Sequence, residues 1–151
     1  MPGADRDEHF MKAALTEAEK AFDRDEVPVG AVVVCGDSII ARAHNLTETL
    51  RDPTAHAEMQ AITAAAAHLG GKYLKGCKIY VTVEPCPMCA SALGWSQITS
   101  LIYGCKDDKK GFTLIGPGLL HPGTGVKKGI LEHECRNLMV KFFRSKRNKK
   151  E

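Results

Sequence analysis

The feature that most constrains how this chain folds is a set of three metal-ligand side chains supplied from two distant segments. His56 precedes the pair Cys86 and Cys89 by 30 residues. One imidazole nitrogen and two thiolates fill three corners of a tetrahedral Zn²⁺ site, and this soft ligand set favours zinc. A fourth corner left open to water distinguishes a catalytic zinc from a structural one. The fold must therefore bring the two segments to one point.

A carboxylate accompanies the three ligands without being needed as a ligand. Glu58 lies two residues after His56, so it can take a proton from water at the open corner and pass it to a substrate. His-x-Glu followed by Pro-Cys-x-x-Cys is the signature of zinc nucleobase deaminases. The pattern predicts a catalytic zinc site with Glu58 as general acid and base.

The same residues, taken separately, have other interpretations. Alone, His56 would be a structural histidine, and Cys86 with Cys89 would be a redox pair or half of a zinc ribbon. A ribbon needs a second ligand pair, but Cys77 and Cys105 stand singly in the sequence. A redox pair would leave Glu58 unexplained. A structural zinc knuckle remains the alternative.

Apolar periodicity and turn residues predict a mixed sheet covered by helices on its faces. In the first half of the chain we expect a helix over about 5–23, a hairpin of strands over 27–34 and 38–43, and a helix from Asp52 to His68 ended by Gly70. In the second half we expect a strand over 78–83, a helix over 87–95, a strand over 100–103 and an irregular region over 106–129. The last element is a helix marked by apolar residues from Leu131 to Phe142, which leads into the basic tail. Cys86 and Cys89 then flank a helix N-terminus, where the helix dipole favours thiolates.

Length and composition narrow the class of protein further. A chain of 151 residues has the size of one domain, so we expect a single domain over 1–151. The charged N-terminus has no secretory stretch, and no apolar run approaches the ~20 residues of a membrane span. We therefore expect a cytoplasmic protein with no membrane partner. In a reducing compartment the cysteines outside the Cys-x-x-Cys pair are expected to be small buried hydrophobes: Cys35, Cys77, Cys105 and Cys135.

The C-terminal end is strongly basic. Residues 141–151 contain six lysines and arginines against one acid, although the whole chain carries only +3. A basic tail at about 144–151 suits an anionic partner such as RNA, because phosphate contacts supply most sequence-independent affinity. A solvated, fraying terminus would have the same composition, and the charge run leaves both interpretations open.

Residues 52–59 and 80–90 closely resemble the bacterial tRNA adenosine deaminases of the TadA type. The resemblance covers nearly the whole chain and extends to 27–31, 43–45, 104–107 and 142–144. It implies a three-layer α/β/α fold of the cytidine-deaminase type and a homodimer. It also implies an activity, the conversion of the wobble adenosine in a tRNA anticodon stem-loop to inosine.

Matching positions extend this resemblance to individual residues. It implies that one Zn²⁺ per subunit is held by His56, Cys86 and Cys89, with Glu58 as the proton shuttle. The substrate-binding residues that it implies are Asn45, Ala57 and Asp107. On pattern alone, Asn45 would be a turn residue and Asp107 an ordinary loop aspartate. Contacts to the RNA backbone are expected from the basic end, at Lys141, Arg144, Lys146 and Arg147.

Two places depart from the family pattern. Trp95 and the bulky segment 110–115 stand where smaller or different residues are usual, which affects the RNA-facing rim but not the zinc chemistry. Trp95 and Phe112 could stack on bases, or belong to the core or a dimer interface. The rival activities are deamination of a free base or nucleotide (guanine, cytosine or deoxycytidylate) and zinc-stabilised RNA binding without catalysis. The basic end favours RNA, whereas Trp95 would suit a small closed pocket.

Overall fold

The computed structural model describes residues 3–149, with side chains described for 3–148. Its helices are α1 (Gly3–Asp23), α2 (Thr47–Leu50), α3 (Ala57–Leu69), α4 (Pro87–Ser96) and α5 (Glu132–Lys149). Its strands are β1 (Gly30–Cys35), β2 (Ser38–His44), β3 (Cys77–Val83), β4 (Ser100–Cys105) and β5 (Gly125–Lys128). Lys150 and Glu151, which belong to the predicted basic tail, lie outside the described residues.

Within that range, the strands form one mixed sheet in the order β2-β1-β3-β4-β5. β1 pairs antiparallel with both β2 and β3, and Ala31 lies opposite Val81 in the second ladder. β3, β4 and β5 run parallel, with Tyr80 opposite Ile102. The carboxyl ends of β3 and β4 therefore open at one edge of the sheet, where loops from both strands meet.

Helices cover both faces of the sheet, which confirms the predicted three layers. One core is formed by α3 and α4 against the sheet, and it contains Ala61, Ile79 and Leu93. The other is formed by α1 and α5, and it contains Met11 and Tyr80. Among residues 3–149, no helix is both long and apolar enough to cross a membrane.

The predicted helix start at Asp52 is wrong. The Asp52 carboxylate accepts hydrogen bonds from the backbone N–H and hydroxyl of Thr54 instead, which makes a local turn. The helix begins at Ala57, with extended His56 as its N-cap. Aspartate competes for nearby backbone donors in this way, so a capping residue and a turn residue look alike in sequence. The predicted end is confirmed, since Gly70 adopts the left-handed conformation at φ 72°.

The region 106–129 is less irregular than predicted. Near its end it contains β5, which pairs with β4 and adds a fifth strand to the four that were predicted. All four residues of β5 are exposed, and its sequence Gly-Val-Lys-Lys has no apolar alternation to reveal a strand. Lysines on an edge strand oppose pairing with another chain. The strand is therefore fixed by its neighbour and not by its own sequence.

The C-terminal helix also extends further than predicted. α5 continues through Lys149, so the described part of the basic segment is helical and its side chains lie on defined faces. Of the other cysteines, Cys77, Cys105 and Cys135 are buried as expected, whereas Cys35 is only partly buried.

Candidate metal centre and substrate groove

Two helix N-termini meet at the carboxyl end of β3. β3 ends at Val83, and after Glu84 and Pro85 the chain enters α4 with Cys86 as the N-cap. Pro87 occupies the first turn, where its missing N–H costs no hydrogen bond. Because α3 begins beside α4, His56 at the N-cap of α3 comes next to Cys86 and Cys89.

The spacing of these three side chains fits a tetrahedral ion. His56 Nδ1 lies 3.7 Å from Cys86 Sγ and 3.4 Å from Cys89 Sγ. Two ligands at ordinary Zn–N and Zn–S distances, set at the tetrahedral angle, are about 3.6 Å apart. The three donor atoms all lie within 4.8 Å of one another. The residues present therefore fit a zinc ion with one open corner.

The hydrogen bond between Cys86 and Cys89 shifts the pKa values of the two thiols in opposite directions. The hydrogen bond from Cys89 lowers the pKa of Cys86 to about 4 in spite of burial, and His56 contributes in the same direction. The pKa of Cys89 is raised by the same hydrogen bond and by its burial. A bound divalent cation favours the thiolate at both positions, because it replaces the shared proton.

The imidazole is oriented from its other side. The Pro53 backbone hydrogen-bonds to the His56 ring, and since proline has no N–H, its carbonyl must be the acceptor. A ring N–H held in this way fixes the tautomer that leaves Nδ1 free for a metal. The turn that displaced the predicted helix start thus supplies the second contact of the histidine.

Glu58 lies in the first turn of α3, buried beside the cluster. Only 4% of its surface is exposed. Burial raises its pKa from 4.5 to about 7, with the Cys86 charge acting in the same direction and a hydrogen bond from Cys89 acting against it. A carboxyl group that titrates near neutral pH can both accept and donate a proton under working conditions.

The cluster opens into a groove of about 890 Å³. Its floor includes His56, Ala57, Glu58 and Cys86. The predicted substrate residues Asn45, Ala57 and Asp107 all lie along it, so the structure brings them to the same cavity as the metal ligands.

One wall of the groove carries Asn45. The Asn45 side chain accepts a hydrogen bond from the Thr47 N–H and donates one to the Val27 carbonyl, so its amide is held by backbone on both sides. Behind it, buried Glu26 accepts hydrogen bonds from the N–H groups of Glu48 and Thr49 at 3.0 and 2.7 Å. Asn45 is thus both a turn residue and a groove residue.

The opposite wall is the loop that follows β4. Asp107 lies in it with Lys106, Lys109 and Lys110, and all four line the groove. One carboxylate oxygen of Asp107 accepts hydrogen bonds from the backbone N–H groups of Lys109 and Lys110, both at 3.0 Å.

α5 supplies the outer rim of the groove. Only two of the four residues predicted to contact RNA lie on this rim. Lys146 and Arg147 line the groove, whereas Lys141 and Arg144 are not among its lining residues. Lys141 lies over the Phe22 ring at 5.4 Å, on the side of α5 that faces α1. The run of basic residues in the sequence predicted cations at this end of the chain, but it could not show which face of α5 each side chain occupies.

The sequence analysis missed the rest of this rim. α5 also contributes Arg136, Met139, Val140 and Phe143 to the groove. Together with Lys146 and Arg147 these residues recur every three or four positions, which is the spacing of one helix face. The signal was therefore available, but only once the helix was extended beyond Phe142.

The two aromatic residues outside the family pattern have different environments. Phe112 is 2% exposed and packs edge-on against Tyr103, with ring centres 6.3 Å apart, so it belongs to the core and cannot stack on a base. Trp95 is 84% exposed on α4 and is not among the residues that line the groove.

Comparisons with known proteins agree with this geometry. Residues 4–105 match the family model described as the cytidine and deoxycytidylate deaminase zinc-binding region. The chain is 45% identical to a tRNA-specific adenosine deaminase from Aquifex aeolicus, over 93% of this chain and 96% of the relative. It is 44% identical to the tRNA-specific adenosine deaminase of Bacillus subtilis, over 96% and 93% respectively.

Solved structures give the same fold with two kinds of substrate. A chain from a structural study of A-to-I editing by tRNA:A34 deaminases superposes with a TM-score of 0.81 at 43% identity, covering 86% of this chain and 98% of that one. A guanine deaminase from Nitrosomonas europaea superposes with a TM-score of 0.79 at 28% identity, covering 89% and 83%.

Proposed function

The chain belongs to the zinc-binding family of cytidine and deoxycytidylate deaminases, and we propose that it deaminates the wobble adenosine of a tRNA anticodon to inosine by hydrolysis. The relatives at 44–45% identity over nearly the whole chain are tRNA-specific adenosine deaminases. Water and adenosine are consumed, and inosine and ammonia are released.

The observation that carries this proposal is the length and charge of the groove. From the metal cluster it extends along α5 from Arg136 to Arg147, which is about 17 Å of helix. Six lysines and arginines line it: Lys106, Lys109, Lys110, Arg136, Lys146 and Arg147. They outnumber the four acidic residues of the lining, which are Glu58, Glu84, Asp107 and Asp108. A free base needs only the inner end, whereas a polynucleotide has phosphates to place along the remainder.

In this proposal His56, Cys86 and Cys89 hold one Zn²⁺ per subunit, which supplies Lewis-acid activation of a water molecule. Glu58 accepts the proton of that water on its carboxylate. It then delivers that proton to the purine ring, and it transfers a second proton, from the new hydroxyl at C6, to the departing amino group, which leaves as ammonia. Its pKa of about 7 places both steps within reach of one carboxyl group.

Asn45 and Asp107 flank the floor from opposite walls, so they hold the target nucleotide between them in this proposal. A base must leave its stack to reach such a floor, and in an anticodon loop the bases are already unpaired. Lys146 and Arg147 then contact the phosphate backbone. A tRNA substrate also implies that the protein works in the cytoplasm.

Two rival functions follow from the same fold. The resemblance to guanine deaminases supports deamination of a free base, but it is weaker or covers less of the chain. The Nitrosomonas europaea enzyme is 28% identical, and the Bacillus subtilis guanine deaminase is 40% identical over only 66% of this chain, against 43–45% over 86% or more for the tRNA enzymes. A non-catalytic RNA-binding module would need the zinc only for folding. A buried carboxyl group beside three ligands and an open corner has no purpose in such a module.

The proposal includes a homodimer. Trp95 on α4 is 84% exposed, and Leu114 and Ile115 at the end of the turn Phe112–Leu114 are 57% and 68% exposed. This turn contacts the next one, Pro117–Leu119, which packs against α4. Large apolar side chains left in water on neighbouring elements mark an interaction surface. A second copy of the chain is the occupant that we propose, since the apolar surface lies away from the groove.

The test is incubation of the zinc-loaded protein with an anticodon stem-loop carrying adenosine at the wobble position. Free adenosine, guanine, cytosine and deoxycytidylate are assayed in parallel, and products are scored by mass. We expect inosine in the stem-loop alone. Turnover of a small molecule without turnover of the stem-loop would overturn the tRNA assignment and leave the deaminase chemistry standing.

A further inference from the structure

Glu84 is a buried carboxylate that the proposed chemistry does not use. It lies between the end of β3 and Pro85, with 3% of its surface exposed. One carboxylate oxygen accepts a hydrogen bond from the Asp107 N–H at 3.1 Å. The other accepts from the N–H and the hydroxyl of Thr113, at 3.0 and 2.8 Å. A single side chain thus binds both ends of the loop that forms one wall of the groove.

The loop is built around this carboxylate. Between its ends, the Gly111 N–H donates to the Asp107 carbonyl at 3.0 Å, and the Phe112 N–H donates to the Pro85 carbonyl at 2.9 Å. A Cβ atom at Gly111 would lie 2.3 Å from the Glu84 carboxylate, so only glycine leaves room for the group. The loop therefore has little freedom to move while Glu84 is in place.

We propose that Glu84 is a positioning residue for the substrate: it fixes the loop 107–113, and with it Asp107 and Lys110, as the wall of the groove. The inference rests on the proposed function. Hydrogen bonds to a charged acceptor are stronger than neutral ones, so the three donors together hold the loop against Glu84.

The metal ligands are positioned by other elements, although the loop touches the residue before Cys86 through the Pro85 carbonyl. His56, Cys86 and Cys89 are held by the N-termini of α3 and α4. Three exposed residues of the loop line the groove instead: Asp108, Lys109 and Lys110. Loosening the loop should therefore weaken substrate binding without removing zinc or slowing the chemical step.

The experiment compares Thr113→Val with Thr124→Val. Thr113→Val removes the hydroxyl contact to Glu84 from the side remote from the metal ligands. Thr124→Val is the matched control, because its hydroxyl donates to the Ile98 carbonyl at 2.7 Å away from the groove. With the stem-loop we expect KM to rise about fivefold in Thr113→Val, with kcat and zinc content unchanged. Thr113→Ser, which keeps the hydroxyl, should restore KM.

Glu84→Gln gives the second variant and a readout that does not depend on activity. The glutamine amide has one neutral oxygen and an NH2 group that cannot accept a hydrogen bond, so it binds the loop donors less well than the carboxylate does. Hydrogen exchange at the Asp107 and Thr113 amides should therefore become about tenfold faster. Unchanged exchange in Glu84→Gln would overturn the inference, as would faster exchange with an unchanged KM. If the wild type fails on the stem-loop, the proposed function fails, whereas the exchange result still decides whether Glu84 holds the loop.

Discussion

Single side chains at the metal cluster owe their chemistry to where two helices begin. Cys86 and His56 are both N-caps in extended conformation, so their side chains project beyond the helix ends toward each other. Glu58 follows in the first turn of α3 and is buried beside them. The burial of Glu58 therefore raises the pKa of its carboxyl group, and the same position keeps the group beside the three ligands.

Replacing Glu58 by Gln should remove turnover and keep the metal. The amide cannot carry a proton, and loss of a general acid and base costs about 10²–10⁴-fold in rate. Single-turnover deamination of the stem-loop and zinc content by elemental analysis measure the two effects separately. Glu19→Gln, an exposed change on α1, is the control. A zinc-loaded Glu58→Gln protein with wild-type turnover would contradict the role proposed for Glu58.

At the scale of elements, charged groups hold α1 to the sheet at the end remote from the groove. The Asp7 carboxylate on α1 accepts hydrogen bonds from Tyr80 on β3 and Lys127 on β5, both at 2.7 Å. These groups line a second cavity of about 450 Å³, together with Arg6 and Asp37, which form an ion pair. Its charges are paired with one another, so this cavity stabilises the packing of α1.

This contact makes stability sensitive to acid. Burial alone would raise the pKa of Asp7, but the hydrogen bonds from Lys127 and Tyr80 outweigh it and hold the pKa below 3.8. A carboxyl group whose pKa is lower in the folded state stabilises the fold above the unfolded pKa, and loses that effect as the pH falls through the folded value. The contribution should be complete at neutral pH and begin to decline below about pH 4, the range of the unfolded pKa.

Urea unfolding of Asp7→Asn at two pH values checks this. At pH 7 we expect the variant to be less stable than wild type by about 1–3 kcal/mol, the cost of hydrogen bonds lost at a charged acceptor. At pH 3 the difference should shrink, because the unfolded wild-type chain then binds a proton at Asp7 that the native state, with its lowered pKa, binds less readily. Asp37→Asn, at an exposed side chain, should show a smaller effect at both pH values. An equal difference at the two pH values would exclude the ionised Asp7 as its source.

For the whole molecule, the cationic groove and the apolar surface near α4 are built from different elements. α5 and the loop after β4 supply most of the groove cations, whereas Trp95, Leu114 and Ile115 belong to α4 and the turns that follow the loop. The proposed RNA binding and the proposed self-association can therefore be altered independently.

Replacing Trp95 by Ser should shift a dimer toward monomer. Loss of a large aromatic anchor at an interface commonly costs 2 kcal/mol or more, roughly a thirtyfold weaker association. Sedimentation equilibrium across a concentration series measures the change. Val126→Ser removes a half-exposed apolar side chain on the edge strand β5 and serves as the control. A monomeric wild type, or equal dissociation constants for the two variants, would contradict a dimer through Trp95.

The sequence by itself determined the sheet strands with strong apolar patterns, the layered class of the fold and the residues able to bind zinc. Metal chemistry restricts ligands to a few side chains, so His56, Cys86 and Cys89 were recognisable without coordinates. Apolar periodicity likewise marks buried faces, which is why α1, β3 and β4 were predicted close to their observed bounds.

Only the tertiary structure decided what depends on neighbours. β5 has no apolar signal of its own and exists because β4 offers backbone partners. The Asp52 turn displaced a helix start because local hydrogen bonds compete with capping. Glu84 and Glu26 look like ordinary glutamates in sequence, but each is buried against backbone donors from a different loop. Such contacts join residues about 20 or more positions apart, and no local pattern specifies which donors a buried carboxylate will meet.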